Sequence, residues 1–126
     1  MKRVLLALFA CIVFFVFAPK TFGQSAVYFC TETGAYGYAH GYSYSDVFTK
    51  AYDACINYGG TAPVLITSTE NKGYGAIALG KDANGDRVIG VALGFSTMSG
   101  AKSEALSQCE NYGGYGAYIS DSWNDN

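Results

Sequence analysis

The chain holds one histidine, one tryptophan and only eight Lys and Arg among 126 residues. A single histidine cannot supply the three or four convergent ligands of a usual zinc site, so no metal or other cofactor is expected. Three of the basic residues, Lys2, Arg3 and Lys20, fall at the N-terminus, and beyond them five basic side chains stand against ten acidic ones. Phosphate binding depends on clustered Lys and Arg, so nucleic acid and anionic lipid are not expected partners. The glycines are scattered through the chain and form no phosphate-binding loop. Ser43 and Ser96 each follow an aromatic residue but lack the glycine that would complete a nucleophile elbow. No pair of carboxylates recurs to suggest a glycosidase. The one long apolar run, residues 4–18, is shorter than the roughly 20 residues a spanning helix needs.

That run follows Lys2 and Arg3 and leads to Pro19 and a small-residue site before Gln24, the order of a secretory signal peptide. The expectation is a signal peptide over 1–23, a periplasmic or secreted location, and one small domain over 24–126 with no membrane insertion after cleavage. That domain keeps Cys30, Cys55 and Cys109, an odd number for an oxidising compartment. A Cys30 to Cys55 disulfide is expected within the first half, leaving Cys109 a buried free thiol.

The strongest signal is an internal repeat. Residues 37–60 align with 90–114 if Met98 is an insertion, and eleven of the 24 paired positions are identical, among them Gly37/Gly90, Ala51/Ala105 and Cys55/Cys109. A repeat of this length is one supersecondary unit used twice, each copy covering a face that it cannot bury alone. The periodicity predicts an α+β fold of two pseudo-symmetric ββαβ units, 26–68 and 74–120, forming a mainly antiparallel sheet with two helices on one face. In the first unit, strands over 26–31 and 35–44 precede a helix over 46–57 capped by Ser45, and a strand over 62–68 follows. In the second, strands over 74–81 and 87–97 precede a helix over 100–111 capped by Ser99, and 115–120 closes the unit. Asn84-Gly85 predicts a type I′ hairpin turn, and the polar tail 121–126 is expected to fray. The strand before each helix carries small residues on one face (Gly37, Ala39, Gly41; Gly90, Ala92, Gly94) and large ones on the other. Large opposite small is the rule of close packing, which predicts the helices over the large-residue face.

Residues 75–79 (GAIAL), 94–96 (GFS) and 105–109 (ALSQC) form a pattern that resembles the bacterial secreted family known as domain of unknown function 4189. The resemblance is good over 74–120 and looser over 26–68. It implies an exported small α+β domain and brings no established activity. Family members carry further cysteines beyond the helix, and this chain has none after Cys109.

The candidate binding residues are Tyr36, Tyr38, His40, Tyr42 and Tyr44, where the second copy has mostly aliphatic side chains. Tyrosine offers large contact area, few rotors and a polar handle, which suits recognition. No catalytic residue stands out. The sequence therefore reads as an exported, non-catalytic interaction domain with a protein partner, inhibitor- or immunity-like in size and acidity. A small secreted hydrolase using His40 and a structural envelope or matrix component are the alternatives, and the sequence leaves the oligomeric state open.

Overall fold

The computed structural model describes residues 24–125, so the expected signal peptide lies outside the described residues. The elements follow in the order β1 (Gln24–Phe29), β2 (Tyr36–Tyr42), α1 (Tyr44–Asn57), β3 (Val64–Thr69), β4 (Tyr74–Lys81), β5 (Arg87–Phe95), α2 (Met98–Asn111) and β6 (Tyr115–Asn124). This is an α+β fold in which the ββαβ order occurs twice. The strands divide between two antiparallel three-stranded sheets, ordered β2-β1-β3 and β5-β4-β6.

Register shows how closely the copies match. Ala26 pairs with Ala39 and Ala76 with Ala92, making β1 the counterpart of β4. Val27 pairs with Thr67 and Ile77 with Asp121, and each pairing is followed by a bulge at the same place. The repeat thus extends back to β1, beyond what residue identity discloses. Thr67 corresponds to Asp121, and Thr69 to Trp123.

The predicted layer assignment is reversed. The large side chains of the two sheets meet each other, with Val27, Phe29, Ile77, Leu79, Ile89, Val91 and Trp123 forming the main core. Each helix lies on the outer, small-residue face of its own sheet, α2 on Ala76, Ala78 and Ala92, and α1 on Ala26 and Ala39. The reason is distance of approach. A Cβ added at Gly37 would stand 2.1 Å from the backbone nitrogen of Cys55, and one at Gly90 would stand 2.1 Å from the carbonyl oxygen of Ala105. Small residues admit helix backbone directly onto the strand, and the large ones remain free to interdigitate between sheets at core density.

Both helices start two residues earlier than expected, with Ser43 and Thr97 at the N-caps. Thr97 Oγ1 accepts from the Gly100 amide at 3.0 Å, whereas the Ser43 hydroxyl donates to the Asp46 carboxylate at 2.9 Å. The β4–β5 turn also differs. The Gly85 amide bonds the Asp82 carbonyl at 3.0 Å across Ala83 and Asn84, both at negative φ, and Gly85 alone takes φ +85°. That is a type I turn with a following left-handed glycine, the three-residue hairpin form. Asp82 Oδ1 accepts from the amides of Asn84 and Asp86, which holds the turn.

Cys30, Cys55 and Cys109 are free thiols, so the expected Cys30 to Cys55 bridge is absent although both lie in one buried cluster. Their sulfurs serve different partners. Cys30 Sγ accepts from the Thr61 amide at 3.4 Å, and Cys55 Sγ donates to the Ala35 carbonyl at 3.6 Å. Cys109 repeats the latter bond in the second copy, to Val88 at 3.5 Å. Among the described residues no helix is long and apolar enough to cross a membrane.

Candidate functional site

β2 ends its sheet, and its large face looks across the sandwich at β6. Alternation along β2 puts Tyr36, Tyr38 and His40 on that inner face, where their rings stack in series at 6.5 and 6.2 Å between centroids. Trp123 of β6 covers the series, 4.8 Å from Tyr38 and 5.3 Å from His40 in near-parallel contact. It fits because its strand neighbour on β4 is Gly75, where a Cβ would stand 2.3 Å from the indole.

Two carboxylates, Asp121 in the last strand and Asp125 just past its end, organise the phenols and the imidazole. Tyr36 donates to Asp121 Oδ2 and also bonds the Ser120 hydroxyl, while Tyr38 donates to Asp121 Oδ1 at 3.1 Å. Burial and the Asp121 carboxylate push the Tyr36 phenol up to about 12, and the same two causes raise Tyr38. Both remain donors at neutral pH. The Asp125 carboxylate, its side chain only 4% exposed, is hydrogen-bonded to His40 Nδ1 at 2.7 Å and accepts from Ser25 Oγ at 2.8 Å. Trp123 Nε1 donates in turn to Ser25 Oγ at 3.3 Å, closing a network between β1, β2 and the end of β6. The tail expected to fray is held by it.

Tyr42 and Tyr44 leave the stripe. A register shift in β1 at Gln24/Ser25 and a positive φ at Gly41 break the alternation. Tyr42 is exposed with the Lys50 ammonium of α1 4.6 Å above its ring. Tyr44 begins α1, packs edge-on against Phe48 and reaches the Ser68 hydroxyl at 3.4 Å.

Two hollows flank the open edge of β2. One, about 270 Å³, is lined by Ala35, Tyr36, Tyr38, Tyr58, Arg87 and Asp121 on the β6 side. The other, about 600 Å³, lies on the α1 side, with Tyr38, His40, Tyr42, Lys50, Asp53 and Tyr58 in its walls. They join at Tyr38 and at Tyr58, which caps α1 and is 77% exposed. Neither lining contains Ser, Thr or Cys. Hydrogen bonds from Thr33, then Thr61 and nearby amides, favour the Cys30 thiolate and lower its pKa, burial opposes this, and the thiol is enclosed behind the β1–β2 turn with no access to either hollow. Burial raises Cys55 and Cys109. Among the described residues no three His, Cys, Asp or Glu side chains group as metal ligands.

The structure therefore brings together Tyr36, Tyr38 and His40 of the expected set and adds Asp121, Trp123, Asp125, Tyr58 and Arg87. The spacing of Asp121, Trp123 and Asp125 was the available signal, since alternate residues of a strand share a face. No family model matches the chain, and no curated protein or solved structure is significantly similar to it.

Proposed function

We propose that this protein is an exported, non-catalytic binding domain that takes an extended segment of a partner protein onto the free edge of β2. The observation that carries this reading is the open strand edge with a hollow on each side. The Cys30 amide bonds the Ala35 carbonyl at 2.8 Å, and hydrogen-bonded pairs alternate along an antiparallel ladder. The ladder bonds of β2 to β1 therefore fall at Gly37 and Ala39, and the backbone groups of Tyr36, Tyr38 and His40 point away from the sheet. A strand laid against them would pair its main chain there and send alternate side chains into the two hollows. Tyrosines around such a groove supply rigid contact area with hydroxyls at the rim. Export rests on the charged and apolar order of residues 1–23, and the likeness to domain of unknown function 4189 agrees with it.

The test is capture of partners by the full chain from envelope and culture-fluid extracts, followed by hydrogen exchange on the complex. Protection appearing at the amides of Tyr36, Tyr38 and His40 is expected. A partner that leaves those amides unchanged would overturn the edge reading.

Hydrolysis is the second reading, and one observation favours it: Asp125 fixes the His40 imidazole, which lines the larger hollow and is 38% exposed. A base oriented in this way suits proton abstraction. With no Ser, Thr or Cys in either wall, this reading has His40 activate a water as the attacking group. His40→Ala separates the readings, because hydrolysis would be abolished whereas capture would weaken by only a few-fold.

A further inference from the structure

We propose that the segment bound at β2 ends in a free C-terminal carboxylate, received between Arg87 and Lys81 at the Tyr36 end of the strand. The inference rests on the edge reading above and adds the direction and the chemistry of the ligand.

Direction comes first. Every strand pairing in both sheets is antiparallel, and an added strand that continued the pattern would run from Tyr42 toward Tyr36. Its C-terminal end would reach the smaller hollow, where Arg87 forms part of the wall. Arg87 Nη1 donates to the Gly34 carbonyl at 2.8 Å, two residues before β2 begins, which places the guanidinium beyond the end of the edge. That single bond leaves the guanidinium further N–H groups to donate.

Charge is the second observation. Lys81 and Arg87 are direct cross-strand partners on β4 and β5. Like charges so placed destabilise a sheet, and no ion pair among the described residues relieves either one. In a chain with twice as many acidic as basic side chains beyond residue 23, two cations thus stand side by side with no ion-pair partner among the described residues. Of the neighbouring carboxylates, Asp82 Oδ1 accepts from its own turn and Asp121 accepts from both phenols, while Asp86, next to Arg87 in sequence, forms no ion pair with it. Arg87 also lines a third hollow, about 240 Å³, with Lys81, Tyr115 and Tyr118, so an anion there would meet both cations and a tyrosine rim. A terminal carboxylate matches the planar guanidinium fork and needs no side chain to be specified.

The test uses two displayed libraries of random octapeptides, one presenting free C-termini and the other tethered through them, selected against the full chain. Ligands are expected from the first library. Amidating their C-termini should weaken binding at least about tenfold, and Arg87→Gln should weaken the acid while leaving the amide nearly unchanged. Lys81→Gln should act in the same direction. Both side chains are exposed, so folding should survive; should Arg87→Gln fail to fold, Lys81→Gln and the amidated peptides still decide. Ligands that protect the β2 amides yet respond less than about twofold to amidation and to the substitutions would overturn the carboxylate site and leave strand addition standing. If neither library gives a ligand that protects those amides, both readings fall.

Discussion

At the scale of single residues, hydrogen bonds to two carboxylates hold the site, and these make its stability depend on pH. Tyr36 titrates near 12 when folded, against about 10 for a free phenol, because it is partly buried beside Asp121. The folded state therefore holds this proton more tightly than the unfolded state. The contribution is complete below pH 10 and is lost as pH rises from 10 to 12. Urea titrations across that window should show stability falling steeply, and Tyr36→Phe should flatten the fall while lowering stability at neutral pH by about 1 kcal/mol. A shift as steep in the Tyr36→Phe protein would mean that another group is responsible. Gly75 sets the other limit at this scale. Gly75→Ala would drive a methyl into an indole already pressed on Tyr38. The expected cost is about 1–3 kcal/mol, together with a changed emission from Trp123, the chain's single tryptophan.

At the scale of elements, the governing fact is how close each helix comes to its strand. Gly37→Ala and Gly90→Ala place a methyl against helix backbone, which cannot rotate aside as a side chain can. Each should cost about 3 kcal/mol, the upper part of the range for overpacking, as read by chemical denaturation. A loss below 1 kcal/mol would mean that the helices sit farther from the sheets. The same geometry explains what the sequence disclosed and what it hid. Alternation of small and large residues marked the strands, and the identities from Gly37 to Gly60 marked the repeat. Which face received the helix was not legible, because large-on-small packing is satisfied equally by helix against sheet and by sheet against sheet. The decision lies in Gly37 and Gly90, which admit backbone and not side chains. The caps moved for a related reason: Ser45 and Ser99 look like N-caps in isolation, but strand alternation ends sooner, at the positive-φ residues Gly41 and Gly94, and the chain turns into the helix from there. Tyr36 and Tyr38 were legible as a polar face. Their partners on β6 were not, because that segment reads as a polar tail until the strand pairing of Gly75 with Trp123 is known.

At the scale of the whole molecule, two equivalent seams close the sandwich, β2 against β6 and β5 against β3, and only one of them departs from apolar and small residues. Where the first seam has Tyr36, Tyr38, His40, Asp121 and Trp123, the second has Ile89, Val91, Leu93, Thr67 and Thr69. The fold thus carries its own control for the question of core against site. Replacing Tyr36 by Ile, Tyr38 by Val and Asp121 by Thr gives the first seam the composition of the second. The substitution removes the carboxylate together with its two phenol donors, so no charge is left half-buried without a partner. If these residues were needed only to close the sandwich, the variant would be as able as the native chain to perform every function that the native chain has. If they are a site, the triple variant should fold with an unchanged or higher denaturation midpoint, since apolar packing replaces a polar network at little cost, and should lose binding of the captured partner. Loss of folding instead would show that the polar seam is structural, and retention of both folding and binding would show that the side chains of Tyr36, Tyr38 and Asp121 are not part of the site.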